Sequence, residues 1–226
     1  MFDPRHPQAG TILKALLFLL AFTPLMTEAL GQESADYRLQ IKATWSAETH
    51  PFEFPPDPTF SHLIGATHND GYALFKDGET GSSGLELIAE RGRVSIFRIE
   101  LDEADDRSLI GTVFEGDEIE TIPGEATLLF SATAEFPLVS FATMIAPSPD
   151  WITGVSSIAL HDGKQWVDRL DLPLWAWDAG TDGGETYQAR NQDTQPQQSV
   201  RLVATPHFLT DQGLSKVGEV VIERIN

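Results

Sequence analysis

Tyr37-Arg38-Leu39-Gln40-Ile41-Lys42-Ala43-Thr44-Trp45 is the stretch whose reading decides the fold. Tyr37, Leu39, Ile41, Ala43 and Trp45 alternate with Arg38, Gln40, Lys42 and Thr44. A period of two puts successive side chains on opposite faces, so the pattern predicts a strand with one face in a core and the other in water. Downstream, Pro51, Pro55, Pro56 and Pro58 hold the chain extended. Residues 61–67 form a short apolar stretch closed by the turn residues Asn69-Asp70-Gly71. Gly81-Ser82-Ser83-Gly84 reads as a flexible loop, and residues 85–91, stopped by Gly92, as a short helix. Strand signals then dominate: 93–101 around Val94, Ile96 and Phe97, a charged turn over 102–107, then 109–114, 125–133, 138–146, 154–160 and 165–172. Residues 184–198 read as a long polar loop, and 200–204 and 219–225 as the last strands. This succession predicts an all-β fold, an antiparallel sandwich with long site loops at one end and at most a short helix.

The chain has 226 residues, enough for one domain with a real core. It carries 34 acidic against 15 basic residues, a net charge of -19, which argues against nucleic acid or anionic lipid as a partner and favours cations. It has no cysteine, which excludes disulfides, thiolate metal sites and thiol nucleophiles. Arg5 and Lys14 precede the apolar run Ala15-Leu16-Leu17-Phe18-Leu19-Leu20-Ala21-Phe22, and a small-residue site follows at Ala29-Leu30-Gly31. The run is too short to span a bilayer, so residues 1–31 read as a cleaved signal peptide and 32–226 as the mature domain, secreted or periplasmic, with no membrane span. Asp3, Arg5, Lys14 and Glu28 cancel, so removal of residues 1–31 leaves the charge at -19.

Two strings stand out against this frame. In Ala146-Pro147-Ser148-Pro149-Asp150-Trp151 and Trp177-Asp178-Ala179-Gly180-Thr181-Asp182-Gly183-Gly184, aspartates sit among Pro and Gly, where regular helix is disfavoured. Asp150, Asp178 and Asp182 thus gather on loops. Three carboxylates repel one another unless a cation neutralises them, and carboxylates completed by carbonyls and water suit calcium better than magnesium. Aspartates also cap turns in Gly-rich loops, and spacing alone favours that plainer reading. Asp162, Asp168, Asp171 and Glu185 flank the strings and either add a ligand or are merely solvated.

Other chemistry is weaker. His50, His62 and His68 match no zinc spacing, and structural roles fit them better. There is no Gly-x-Ser-x-Gly elbow and no phosphate loop. Trp166, Trp175 and Trp177 either stack on carbohydrate or, as such residues more often do, pack a core.

Residues 37–187 resemble the spondin domain family, the N-terminal spondin domain found in F-spondin. The resemblance rests on Tyr37-Arg38-Leu39, Thr44-Trp45-Ser46, Thr49-His50-Pro51, Phe54-Pro55 and Phe60-Ser61-His62-Leu63-Ile64-Gly65-Ala66-Thr67-His68. It continues through Gly84-Leu85, Ala89-Glu90-Arg91-Gly92, Val139-Ser140, Met144-Ile145-Ala146-Pro147-Ser148-Pro149-Asp150-Trp151, Gly154-Val155, Trp177-Asp178-Ala179-Gly180-Thr181-Asp182, Gly184 and Thr186-Tyr187. It implies a C2-like β-sandwich with one calcium ion (Ca2+) at its loops, the family's ligands falling on Asp150, Asp178 and Asp182. Gly183 stands where the family usually has serine, and the cysteines of animal members are missing. The expected function is a secreted, non-catalytic calcium-binding module that presents a loop surface to extracellular matrix, a cell-surface protein or a glycan. The alternative is a secreted hydrolase that uses the same carboxylates on carbohydrate.

Overall fold

The computed structural model describes residues 33–226, so the expected signal peptide over residues 1–31 lies outside the described residues. The strands are β1 (Ser34–Ala43), β2 (Thr59–Phe60), β3 (Leu63–His68), β4 (Ile110–Gly116), β5 (Gly124–Thr133), β6 (Leu138–Ala146), β7 (Trp151–Ala159), β8 (Arg169–Leu174), β9 (Ala176–Asp178), β10 (Arg201–Leu202), β11 (Leu209–Thr210), β12 (Gly213–Leu214) and β13 (Gly218–Arg224). Two helices, α1 (Ser83–Arg91) and α2 (Ser95–Asp105), lie between β3 and β4. No helix among the described residues is long and apolar enough to cross a membrane.

The fold is an all-β antiparallel sandwich with helices on one outer face. One sheet has the order β5-β1-β13-β8; the other runs β10-β9-β7-β6-β3-β4, with β2 also on β6. The alternation read from Tyr37 onward holds: Tyr37, Leu39, Ile41 and Ala43 are buried, and β1 pairs with β13 and β5. Their side chains meet Phe130, Phe141, Trp151, Val220 and Ile222 between the sheets. A second core lies on the far face of the larger sheet, where Ile64, Ala142 and Ile152 pack against Leu85 and Ile88 of α1 and Phe97 and Leu101 of α2. Burial on both faces explains why β3 is buried along its whole length and β6 nearly so, without alternation.

The helix expected over 85–91 is present and slightly longer. Ser82 caps it by accepting a hydrogen bond from Leu85 N, and Gly92 ends it in the left-handed conformation. Residues 93–101 are not a strand. Phe97, Leu101 and Ala104 are spaced four and three apart and all buried, the stripe of a helix that lies on the sheet. The expected turn over 102–107 is mostly the end of that helix.

Candidate functional site

Antiparallel pairing of β7 with β9 builds the site. Trp151, the first residue of β7, lies opposite Asp178, the last of β9, so Asp150 and Asp178 come to the same end of the larger sheet. Trp151 is buried against Tyr187, His207 and Phe208, which anchors the segment. After Asp178 the chain turns back across Asp150. Ala179 N donates to the Asp150 carbonyl, and the amides of Thr181 and Asp182 donate to Asp150 Oδ2 at 2.7 and 3.1 Å. Gly180 permits this return: its φ is +77°, and a Cβ there would sit 2.3 Å from the Gln198 carbonyl oxygen.

The three aspartates differ in how fully they are satisfied. Asp178 Oδ1 accepts from Gly180 N and Asp182 Oδ1 from Gly184 N, both two residues on, and Asp182 Oδ2 accepts from Gln192 N. Those contacts are the turn capping expected of aspartate in such loops. Capping does not account for Asp150. Its side chain is 0% exposed, and Oδ1 has no hydrogen-bond partner. Burial first, then the charge of Asp178, push its carboxyl from 3.8 up to about 6, against the two amide bonds that pull it down.

In front of this group opens a cavity of ≈ 590 Å³ lined by Phe52, Trp151, Asp178, Asp182, Arg201 and His207, among others. Asp150 is not among the residues that line it. Arg201, opposite Asp178 in the β9–β10 pair, donates to Asp178 Oδ2 from Nη2 at 2.9 Å and from Nε at 3.3 Å. Among the described residues, the one acidic set whose oxygens come this close is a different one that shares Asp182: one oxygen each from Glu90, Asp182 and Asp193 falls within 4.8 Å of the others. Burial raises the Glu90 carboxyl above its usual range, and Glu90 Oε1 has no hydrogen-bond partner.

The flanking acids divide. Glu185 lines the cavity. Asp162 caps a turn beyond the far end of β7, accepting from Lys164 N and Gln165 N. Asp171 is paired with Arg169, and Asp168 with Arg224. The histidines have separate partners: His50 contacts Thr49 and Ser215, while His68, the end of β3, contacts Asn69 and Ser140 of β6. Trp166 is buried against Tyr37, whereas Trp175 and Trp177 line an apolar groove beside β7 and β8. Glu90, Asp193 and Arg201 were not visible as site residues in the sequence: Glu90 lies on a distant helix, Arg201 on a separate strand, and Asp193 in the polar loop that follows the second string.

The sequence model of the Spondin_N family matches residues 35–212, from β1 through all three aspartates. The chain belongs to the Spondin_N family. Among relatives of this Spondin_N chain, human Spondin-2 is 33% identical over 209 residues, covering 87% of this chain and 63% of the relative. Mouse Spondin-1 is 34% identical over 207 residues, covering 85% of this chain and 25% of the relative. Chicken Spondin-1 is likewise 34% identical over 207 residues. The chain thus spans less than two thirds of these relatives' length. Family membership and the sandwich agree with the resemblance read from the sequence.

Proposed function

We propose that this Spondin_N domain is an exported, non-catalytic module that binds one calcium ion through Asp150, Asp178 and Asp182. One observation carries the reading: a carboxylate fully enclosed in protein keeps one oxygen without any donor, beside a second and a third carboxylate. Buried charge needs a partner, and an all-oxygen, carboxylate-rich donor set suits a hard cation. Bound there, calcium supplies charge neutralisation and no reaction chemistry. The residues do the rest: Asp150 fixes the 178–182 loop through two amides, and Asp178 and Asp182 hold their own turns. The loops so ordered border the cavity and form the surface offered to matrix, a cell-surface protein or a glycan outside the cell. Carbohydrate hydrolysis is less well supported, since a protonated acid must reach the glycosidic oxygen, and Asp150, whose carboxyl is the raised one, does not line the cavity.

Calorimetric calcium titration with paired melting curves tests the reading. A ligand that binds only the folded state raises stability as RT ln(1+[L]/Kd), so millimolar calcium should raise the melting temperature over chelator. Superimposable melting curves together with a flat titration would falsify it.

A further inference from the structure

We infer that Arg201 is an internal counter-ion of the aspartate site, holding Asp178 when no metal is bound and weakening divalent-cation binding because it must yield Asp178 Oδ2. This rests on the reading of Asp150, Asp178 and Asp182 as calcium ligands.

The geometry is specific. Asp178 Oδ1 faces the Gly180 amide, which leaves Oδ2 as the oxygen turned to other partners. Arg201 aims both Nε and Nη2 at that one atom, and its Nη1 donates to Gln198 Oε1 at 3.1 Å. The β9–β10 register sets Arg201 directly across from Asp178, so the pairing is built into the sheet rather than left to a flexible tail. The Arg201 side chain is nonetheless 59% exposed, while that of Asp178 is 15% exposed. The cation is therefore the mobile partner and the carboxylate the fixed one. The ≈ 590 Å³ cavity that both residues line gives the guanidinium room to withdraw.

Charge sets the sign. A guanidinium beside clustered carboxylates offsets part of their mutual repulsion in the metal-free protein. The same positive charge opposes a divalent cation that arrives at the same oxygen. Loss of Arg201 should therefore do two opposite things: destabilise the metal-free domain and tighten calcium binding. A residue with only a packing role would weaken both.

The test compares wild type, Arg201→Gln and Arg201→Lys by calcium calorimetry and by melting in chelator and in calcium. Arg201→Gln should bind calcium about tenfold more tightly, the effect of one neighbouring charge. Its metal-free melting temperature should fall, and the calcium-induced rise should grow. Arg201→Lys keeps the charge without the two-pronged donor and should fall between the other two, which preserves the comparison should Arg201→Gln fold poorly. Wild type that binds while neither variant binds more tightly overturns the counter-ion role alone. Wild type that binds no calcium overturns the site and this inference with it.

Discussion

Asp150 carries a carboxylate wholly inside the protein, where its two oxygens meet different surroundings. Oδ2 is held by two amides, and Oδ1 by nothing. Because its folded value of about 6 lies above the ordinary 3.8, the ionised form opposes folding. In metal-free protein that penalty is present above about pH 6 and fades as pH falls towards 3.8, a displacement worth about 3 kcal/mol. Calcium requires the ionised form, so its dissociation constant should rise by about tenfold between pH 7 and pH 5. Calorimetry at the two pH values checks this, and equal affinities would remove Asp150 from the ligand set. Asp150→Asn separates charge from shape. The amide oxygen can still accept from Thr181 and Asp182, and the cost of a buried NH2 in the partnerless place of Oδ1 is offset by loss of the buried charge, so melting in chelator should stay close to wild type, while the calcium-induced rise disappears. A large loss of stability in chelator would instead mean that the carboxylate is ionised and already compensated without metal.

At the scale of elements, α2 shows where periodicity misleads. Phe97, Ile99 and Leu101 would share one face of a strand, yet Phe97 and Leu101 are 0% exposed and Ile99 is 54% exposed. Only a helix separates them so. Leu101→Ala should therefore cost about 2–5 kcal/mol, and Ile99→Ala less than about 0.5 kcal/mol, as read by denaturant unfolding; equal costs would argue for the strand. The apolar stripe of α2 runs on to Ala104, past acids that read as a turn, so no short window contains it. β1 and β5 were legible because one face of each meets a core and the other meets water. β6 was legible as an apolar run bounded by turn residues, while β9, three residues long, has no room to show a period. The site divides in the same way. Asp178 and Asp182 announce themselves within one string, and the resemblance tied Asp150 to them. Arg201, Glu90 and Asp193 reach the site only through sheet pairing and helix docking, which local sequence does not record.

For the whole molecule, the decisive element lies outside the family match. The match ends at residue 212, yet β13 runs Gly218–Arg224 in the interior of the smaller sheet, between β1 and β8. It supplies Val220 and Ile222, both 0% exposed, just after the equally buried Val217. Three such side chains contribute about 1.5–3 kcal/mol each, a sum comparable with the lower half of the roughly 5–15 kcal/mol that holds a typical domain folded. Removal would also strip β1 of a partner along Tyr37–Ala43 and leave β8 with no strand to pair with, exposing two rows of backbone donors and acceptors. A chain of residues 33–212 keeps every candidate calcium ligand and nearly every matched position. It should still fail to fold, giving no cooperative melt by circular dichroism and no calcium-dependent stabilisation, whereas residues 33–226 give both. A cooperative transition in the shorter chain would show that the larger sheet and its helices stand alone, and that β13 serves only to close the sandwich.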